Sequence, residues 1–132
     1  MKYTNNAIYT VIRAAVLDAF PSAKVTQTYS PTPTHFPTAF IRKIGRFTPQ
    51  ETATMSNSQE IYETTWEVQV YSNLQGNSKE EAYDIMRVIK RAFKGMYFLE
   101  TFETPQDTAK NEYYTLIARF RRIIGDGEEM PN

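Results

Sequence analysis

Residues 59–95 leave this chain the least freedom. Tyr62, Thr64, Trp66, Val68 and Val70 share one parity, and Glu63, Thr65, Glu67, Gln69 and Tyr71 share the other. Successive side chains of a strand leave opposite faces of the pleat, so the alternation predicts a long strand with one apolar and one polar face. Trp66, the only tryptophan, stands mid-row and marks where the core is deepest. Residues 72–77 (SNLQGN) break the pattern with turn formers. Ala82, Ile85, Met86, Ile89 and Phe93 then recur at helical spacing, with Val88 and Ala92 widening the stripe. Ser78 with Glu81 after it fits a capping box. Glu80, Glu81 and Asp84 in the first turns and Arg87, Lys90, Arg91 and Lys94 in the last suit the helix dipole. Gly95 is the expected left-handed residue beyond the helix end.

The flanks supply what packs on this unit. Thr4, Asn5 and Asn6 offer N-cap side chains, and Ala7, Ile8, Val11, Ile12, Ala15, Val16 and Phe20 form a second helical stripe that Pro21 ends. Residues 24–29 (KVTQTY) and 38–44 (TAFIRKI) read as strands separated by a proline-rich extended segment, and Gly45 closes the second. Residues 96–103 (MYFLETFE) and 112–124 (EYYTLIARFRRII) read as two more, joined through a turn at Thr104, Pro105, Gln106 and Asp107. In the last strand Tyr114, Leu116, Ala118, Phe120 and Ile124 share a face that Arg122 interrupts. The fold expected is α+β. It is a single domain over residues 1–124, a mostly antiparallel sheet of about five strands with two helices on one face. The other face would show Ile41, Tyr71 and Ile117 among polar groups. Residues 125–132 form an acidic, flexible tail.

Residues 45–58 (GRFTPQETATMSNS) lack apolar periodicity, yet they join strands that need only a short turn to pair. A polar loop of that length calls for an explanation outside the core. Arg46, Phe47, Thr48, Gln50 and Met55 in it, with Arg119 and Arg121 on the last strand, are candidate interface residues.

Composition narrows the functional classes. The 132 residues hold 15 basic and 15 acidic side chains and no cysteine, which removes disulfides, thiolate zinc sites and cysteine nucleophiles. No apolar run is long enough to span a membrane, and the N-terminal stretch with Arg13 and Asp18 does not read as a signal peptide. His35, the only histidine, sits among prolines with no nucleophile marked beside it, and reads as an exposed loop residue. Glu63 and Glu67 share a strand face but mark no pocket, and read as solvated positions rather than a general acid–base pair. No phosphate-cradling glycine motif occurs. Arg87, Lys90, Arg91 and Lys94 with Arg119, Arg121 and Arg122 could form a nucleic-acid patch, but zero net charge favours a solvated helix face and edge arginines. Nine tyrosines and eight phenylalanines exceed what a core this size needs and lean towards protein contacts. A catalytic role and a cofactor are not expected.

The order of elements resembles the tail terminator, or tail completion (head–tail joining), proteins of bacteriophages with long, non-contractile tails. A helix ends in Phe-Pro before a strand (DAFPSAKV), a second Phe-Pro precedes the next (HFPTAFIRKI), then come ETTWEVQVYSNLQGNSKEEAYDIMRVIKRAF, an aromatic strand and YYTLIARFRRII. The resemblance covers nearly the whole chain through patterns rather than invariant chemistry. It implies a structural virion protein of the tail or neck, assembled in the host cytoplasm. A homo-oligomeric, hexameric ring would cap the tail tube protein and then meet the head-closure or connector protein. DNA would be passing cargo only. No catalytic residue, cofactor or membrane is implied. A head–tail adaptor or head-closure neck protein has similar size; a small nucleic-acid-binding domain and an unrecognised enzyme are the readings from other classes.

Overall fold

A computed structural model describes residues 2–29, 33–47, 61–106, 113–125 and 128–131, and turns both apolar stripes into helices. Helix α1 spans Asn5–Ala19; the Thr4 hydroxyl caps it by accepting the Ala7 N–H at 3.0 Å. It buries Ala7, Ile8, Ile12 and Val16 and stops at Phe20, before Pro21. Five strands follow the expected order around the second helix: β1 Lys24–Thr26, β2 Thr38–Phe47, β3 Ile61–Ser72, then α2 Ser78–Gly95, β4 Leu99–Gln106 and β5 Tyr114–Gly125. The sheet order is β1-β2-β3-β5-β4, antiparallel except for β1 on β2. This is an α+β domain, with both helices on one face.

β3 is the middle strand, paired with β2 on one side and with β5 along its whole length on the other. Its Thr64–Trp66–Val68–Val70 row faces the helices and is fully buried. Trp66 lies opposite Phe120, whose ring stacks on Phe93 of α2 at 4.2 Å between centroids. Ile41 pairs with Val68 and belongs to this core, not to the opposite face as its sequence position suggested. The parity of β2 is fixed by its register against β3, which the β2 sequence alone does not show.

Several boundaries move for physical reasons. β1 ends at Thr26, where the Thr28 N–H turns back onto the Thr26 hydroxyl. Gly45 does not close β2: a bulge between Lys43 and Gly45 shifts the register, and pairing continues to Phe47. The first three residues of the predicted polar loop are therefore strand, and residues 48–58 lie outside the described ones. β4 starts later than predicted and runs through Thr104, Pro105 and Gln106, because proline is tolerated on an edge strand.

Both ends of α2 differ from the expected caps. Asn77 occupies the N-cap without a side-chain cap bond. The capping-box partner Glu81 instead accepts a bond from the buried Ser72 hydroxyl at 2.6 Å, and that oxygen takes the Leu74 N–H. Ser72 thus ties the end of β3 to the first turn of α2. At the other end Gly95 is still helical, and Tyr97 holds the left-handed conformation, with φ 65°. The Phe98 N–H bonds the Phe93 carbonyl and the Tyr97 N–H bonds the Lys94 carbonyl, both at 2.9 Å, which is a Schellman motif. The apolar contact that accompanies this motif sets its position: the Phe98 ring packs on Phe93 at 5.1 Å, so the residue before Phe98 must turn left-handed.

Arg122 explains the break in the apolar row of β5. Its guanidinium lies over the rings of Tyr3 and Tyr97, at 4.9 and 5.5 Å, and pairs with Glu128. The Tyr3 hydroxyl donates to the Met96 carbonyl at 2.9 Å, Lys2 bridges Glu129, and Met130 is buried. Residues 128–131 are thus seated on the domain, not a free tail, because Arg122 and the apolar patch around Tyr3 give Glu128 and Met130 partners.

Three stability outcomes follow, each readable from denaturant melts. Trp66→Ala destabilises by about 3–5 kcal/mol, the usual cost of deleting a buried aromatic. A Cβ on Gly95 meets nothing within 4 Å and its φ is not positive, so Gly95→Ala stabilises by about 0.5–1 kcal/mol. Tyr97→Gly stabilises as well, since left-handed backbone costs a residue with a Cβ about 1–2 kcal/mol. Were Gly95 the left-handed residue, the sign for Gly95→Ala would reverse.

Candidate functional site

With both helices on one side, none of the described elements lies over the second face of the sheet, and its own side chains cover it. They do so in three zones. At the Ser72 end of β3, aromatic rings lie against one another: Tyr29 on Phe40 at 5.6 Å, Tyr71 on Tyr113 at 5.8 Å, and Phe36 on Tyr113 at 5.4 Å. Burial pushes the Tyr71 phenol up to about 12, with the neighbouring phenols of Tyr29 and Tyr113 adding to the rise.

The middle zone is a charged band across three strands. Glu67 on β3 is only 3% exposed although no helix covers it. Its Oε1 accepts from Arg42 Nη2 at 2.9 Å, from Arg42 Nε at 3.3 Å and from Gln69 Nε2 at 3.0 Å. Its Oε2 accepts from Arg119 Nε at 3.0 Å, and the Tyr71 hydroxyl donates to Gln69 Oε1, extending the chain of bonds. Burial alone would raise the Glu67 carboxyl, but the bonds from Gln69, Arg42 and Arg119 outweigh it and hold the pKa below the ordinary carboxylate value. Each arginine also lies against an aromatic ring, Arg42 over Phe40 at 5.7 Å and Arg119 over Phe102 at 5.4 Å. Glu67 is thus not the solvated position its sequence context suggested. It is a buried anion that fixes two half-exposed guanidiniums.

The third zone is the corner where β4 meets the far end of β5. Leu99 lies opposite Arg121, Phe102 opposite Arg119, and Ile123 is the next residue on that side of β5. Arg121 Nη1 reaches Glu63 at 3.0 Å.

The seven interface candidates separate. Arg119 and Arg121 lie together on the uncovered face. Arg46 lies on the other face, beside Thr64, with its guanidinium 3.8 Å from the centre of the Tyr62 ring. Phe47 is the last residue of β2, opposite Glu63; Thr48, Gln50 and Met55 lie outside the described residues. The proposed basic constellation also divides. Arg87 pairs with Asp84 on α2, and Lys90 of α2 with Glu100 and Glu103 of β4, all on the helix side of the sheet, while Arg119 and Arg121 are on the opposite side. His35 is exposed, with Nε2 3.0 Å from the Ser22 carbonyl. Among the described residues no cluster of His, Asp or Glu is placed to hold a metal ion, and no helix is long and apolar enough to cross a membrane.

Sequence reading missed Glu67, Arg42, Gln69, Leu99 and Ile123. The signal was partial: Glu67, Gln69 and Tyr71 share one parity, but their arginines come from strands whose register is needed to bring them together. A scan of known protein-family models and a search of curated proteins both find no match for this chain.

The charged band predicts an acid-sensitive fold. Since the Glu67 pKa is lowered on folding, its contribution is fully present above the ordinary value of 4.5 and is lost as pH falls through the folded value. Glu67→Gln keeps the shape but removes the anion, costing roughly 1–3 kcal/mol at neutral pH, the range for a lost bond to a charged group. Urea midpoints for both proteins, measured from neutral pH down to about pH 3, should converge on acidification. Parallel curves would exclude Glu67 as the source.

Proposed function

We propose that this chain is an assembly protein of a phage tail, the subunit of a ring that caps the tail tube and then offers a surface to the head connector. The observation that carries the reading is the uncovered sheet face. Arginines and aromatic rings are the side chains enriched at protein interfaces, and here they line a face of the sheet that no described helix covers, with two of the arginines held by one buried carboxylate. The element order supports the same reading through its resemblance to tail terminators, as does the long polar connection between β2 and β3. Closed rings need two different patches of each protomer to meet, and the uncovered face would supply one of them.

Light scattering over a concentration series, with negative-stain images of the same samples, tests assembly: rings are expected, and a strict monomer both alone and with tail tubes would overturn the reading. In a phage whose residues 48–58 are replaced by a tight turn, the protein should still fold, since strand connections tolerate length change. Micrographs of the lysate should show few joined particles and tails of irregular or excessive length. Uniform tails attached to capsids would show the segment to be dispensable. Uniform tails beside full, unattached heads would point to an adaptor.

A further inference from the structure

The corner at β4 and β5 combines features that the rest of the face does not. Leu99, Phe102 and Ile123 are 59, 43 and 49% exposed, and Tyr97, at 64%, borders the shallow hollow that Leu99, Arg121 and Ile123 line. Between them stand Arg119 and Arg121, each about half exposed and each held by a carboxylate on β3 through one nitrogen. A guanidinium carries five N–H donors in a rigid plane, so both retain donors beyond those bonds, in fixed positions among apolar groups. Arg119 and Arg121 are 48 and 47% exposed while their partners Glu67 and Glu63 are 4 and 23%, so the corner shows solvent mainly its cations. An occupant must therefore bring carboxylates as well as apolar side chains.

The sheet edge does not offer itself to an added strand. β4 is bulged between Glu100 and Phe102 and carries Pro105, both of which discourage pairing. A partner approaches the face. A nucleic acid fits poorly, because it needs cations strung along a phosphate track, whereas here two adjacent arginines are flanked by Leu99, Phe102 and Ile123, exposed apolar groups that a sugar–phosphate backbone would leave uncovered.

We propose that this corner binds an acidic polypeptide segment with interspersed apolar side chains, its carboxylates on Arg119 and Arg121 and its apolar groups on Leu99, Phe102 and Ile123. The inference rests on reading the uncovered face as a recognition surface, and it names the chemistry of what that surface recognises. The test uses the full chain and a fluorescent peptide alternating glutamate and leucine, with a lysine–leucine peptide and duplex DNA as competitors. Anisotropy should show the acidic peptide binding at least roughly tenfold more tightly than the basic one. Leu99→Ser with Ile123→Thr, and separately Arg121→Gln, should each weaken it about tenfold. Should a variant fail to fold, hydrogen exchange on the unsubstituted chain gives the same answer, through protection of β4 and the end of β5 when the acidic peptide is bound. Equal binding of the two peptides, no protection at that corner, or displacement by DNA at lower concentration than by unlabelled acidic peptide would overturn the proposal. Ring formation, scored by light scattering in the same samples, separates the failures: rings without acidic-peptide preference reject this inference alone, and peptide binding without rings rejects the ring.

Discussion

Both helices among the described residues lie on one side of the five-stranded sheet, and the rest of the structure answers to that constraint. On the helix side the answer is burial: Trp66, Phe93 and Phe120 form a dry centre with the aliphatic groups of both helices around it. On the other side none of the described elements does the covering, and the side chains cover one another. A carboxylate at the middle of β3 achieves this by drawing Arg42 and Arg119 over itself from the neighbouring strands. Both arginine side chains stay about half exposed, so their guanidiniums hold the carboxylate and still meet solvent. A leucine in place of Glu67 could not hold the two cations, and the aromatic rings they lie against would lose their contacts. The polar row of β3 is therefore as much part of the architecture as its apolar row.

The fold was largely legible because period-two and period-3.6 patterns are local. The rows of β3 and β5 and both helical stripes are written within a dozen residues each, and the structure keeps them. What failed depends on partners distant in sequence. Ile41 changed faces because the pairing with Val68 sets its side. Glu81 left its capping box because Ser72, buried at the end of another element, offered a better-placed hydroxyl. Tyr97 displaced Gly95 as the left-handed residue because Phe98 had to reach Phe93. In each case a strong local preference was overridden by a contact worth more to the whole.

The site was less legible than the fold for the same reason in stronger form. Arg119 and Arg121 were visible as cations on one strand, yet what makes them useful is Glu67 and Glu63 on the strand beside them and Leu99 and Phe102 on the strand beyond. Such a surface is assembled from three strands and has no signature along any one of them. Arg122, the arginine that interrupts the apolar row of β5, is the converse case. It looked like a flaw in an apolar row and proves to be where the first residues, the end of α2 and residues 128–131 converge.

That convergence has a topological consequence. Lys2 and Glu129 are bridge partners, so the first and last described stretches lie side by side with only a narrow gap between them. A short linker across that gap would let the backbone be opened elsewhere, for instance in the exposed turn between β3 and α2, without altering any strand neighbour. The linear order helix, strands, helix, strands is then one of several ways to thread the same set of contacts. What carries over between such threadings is the contacts, among them those that Arg122 makes with Tyr3, Tyr97 and Glu128.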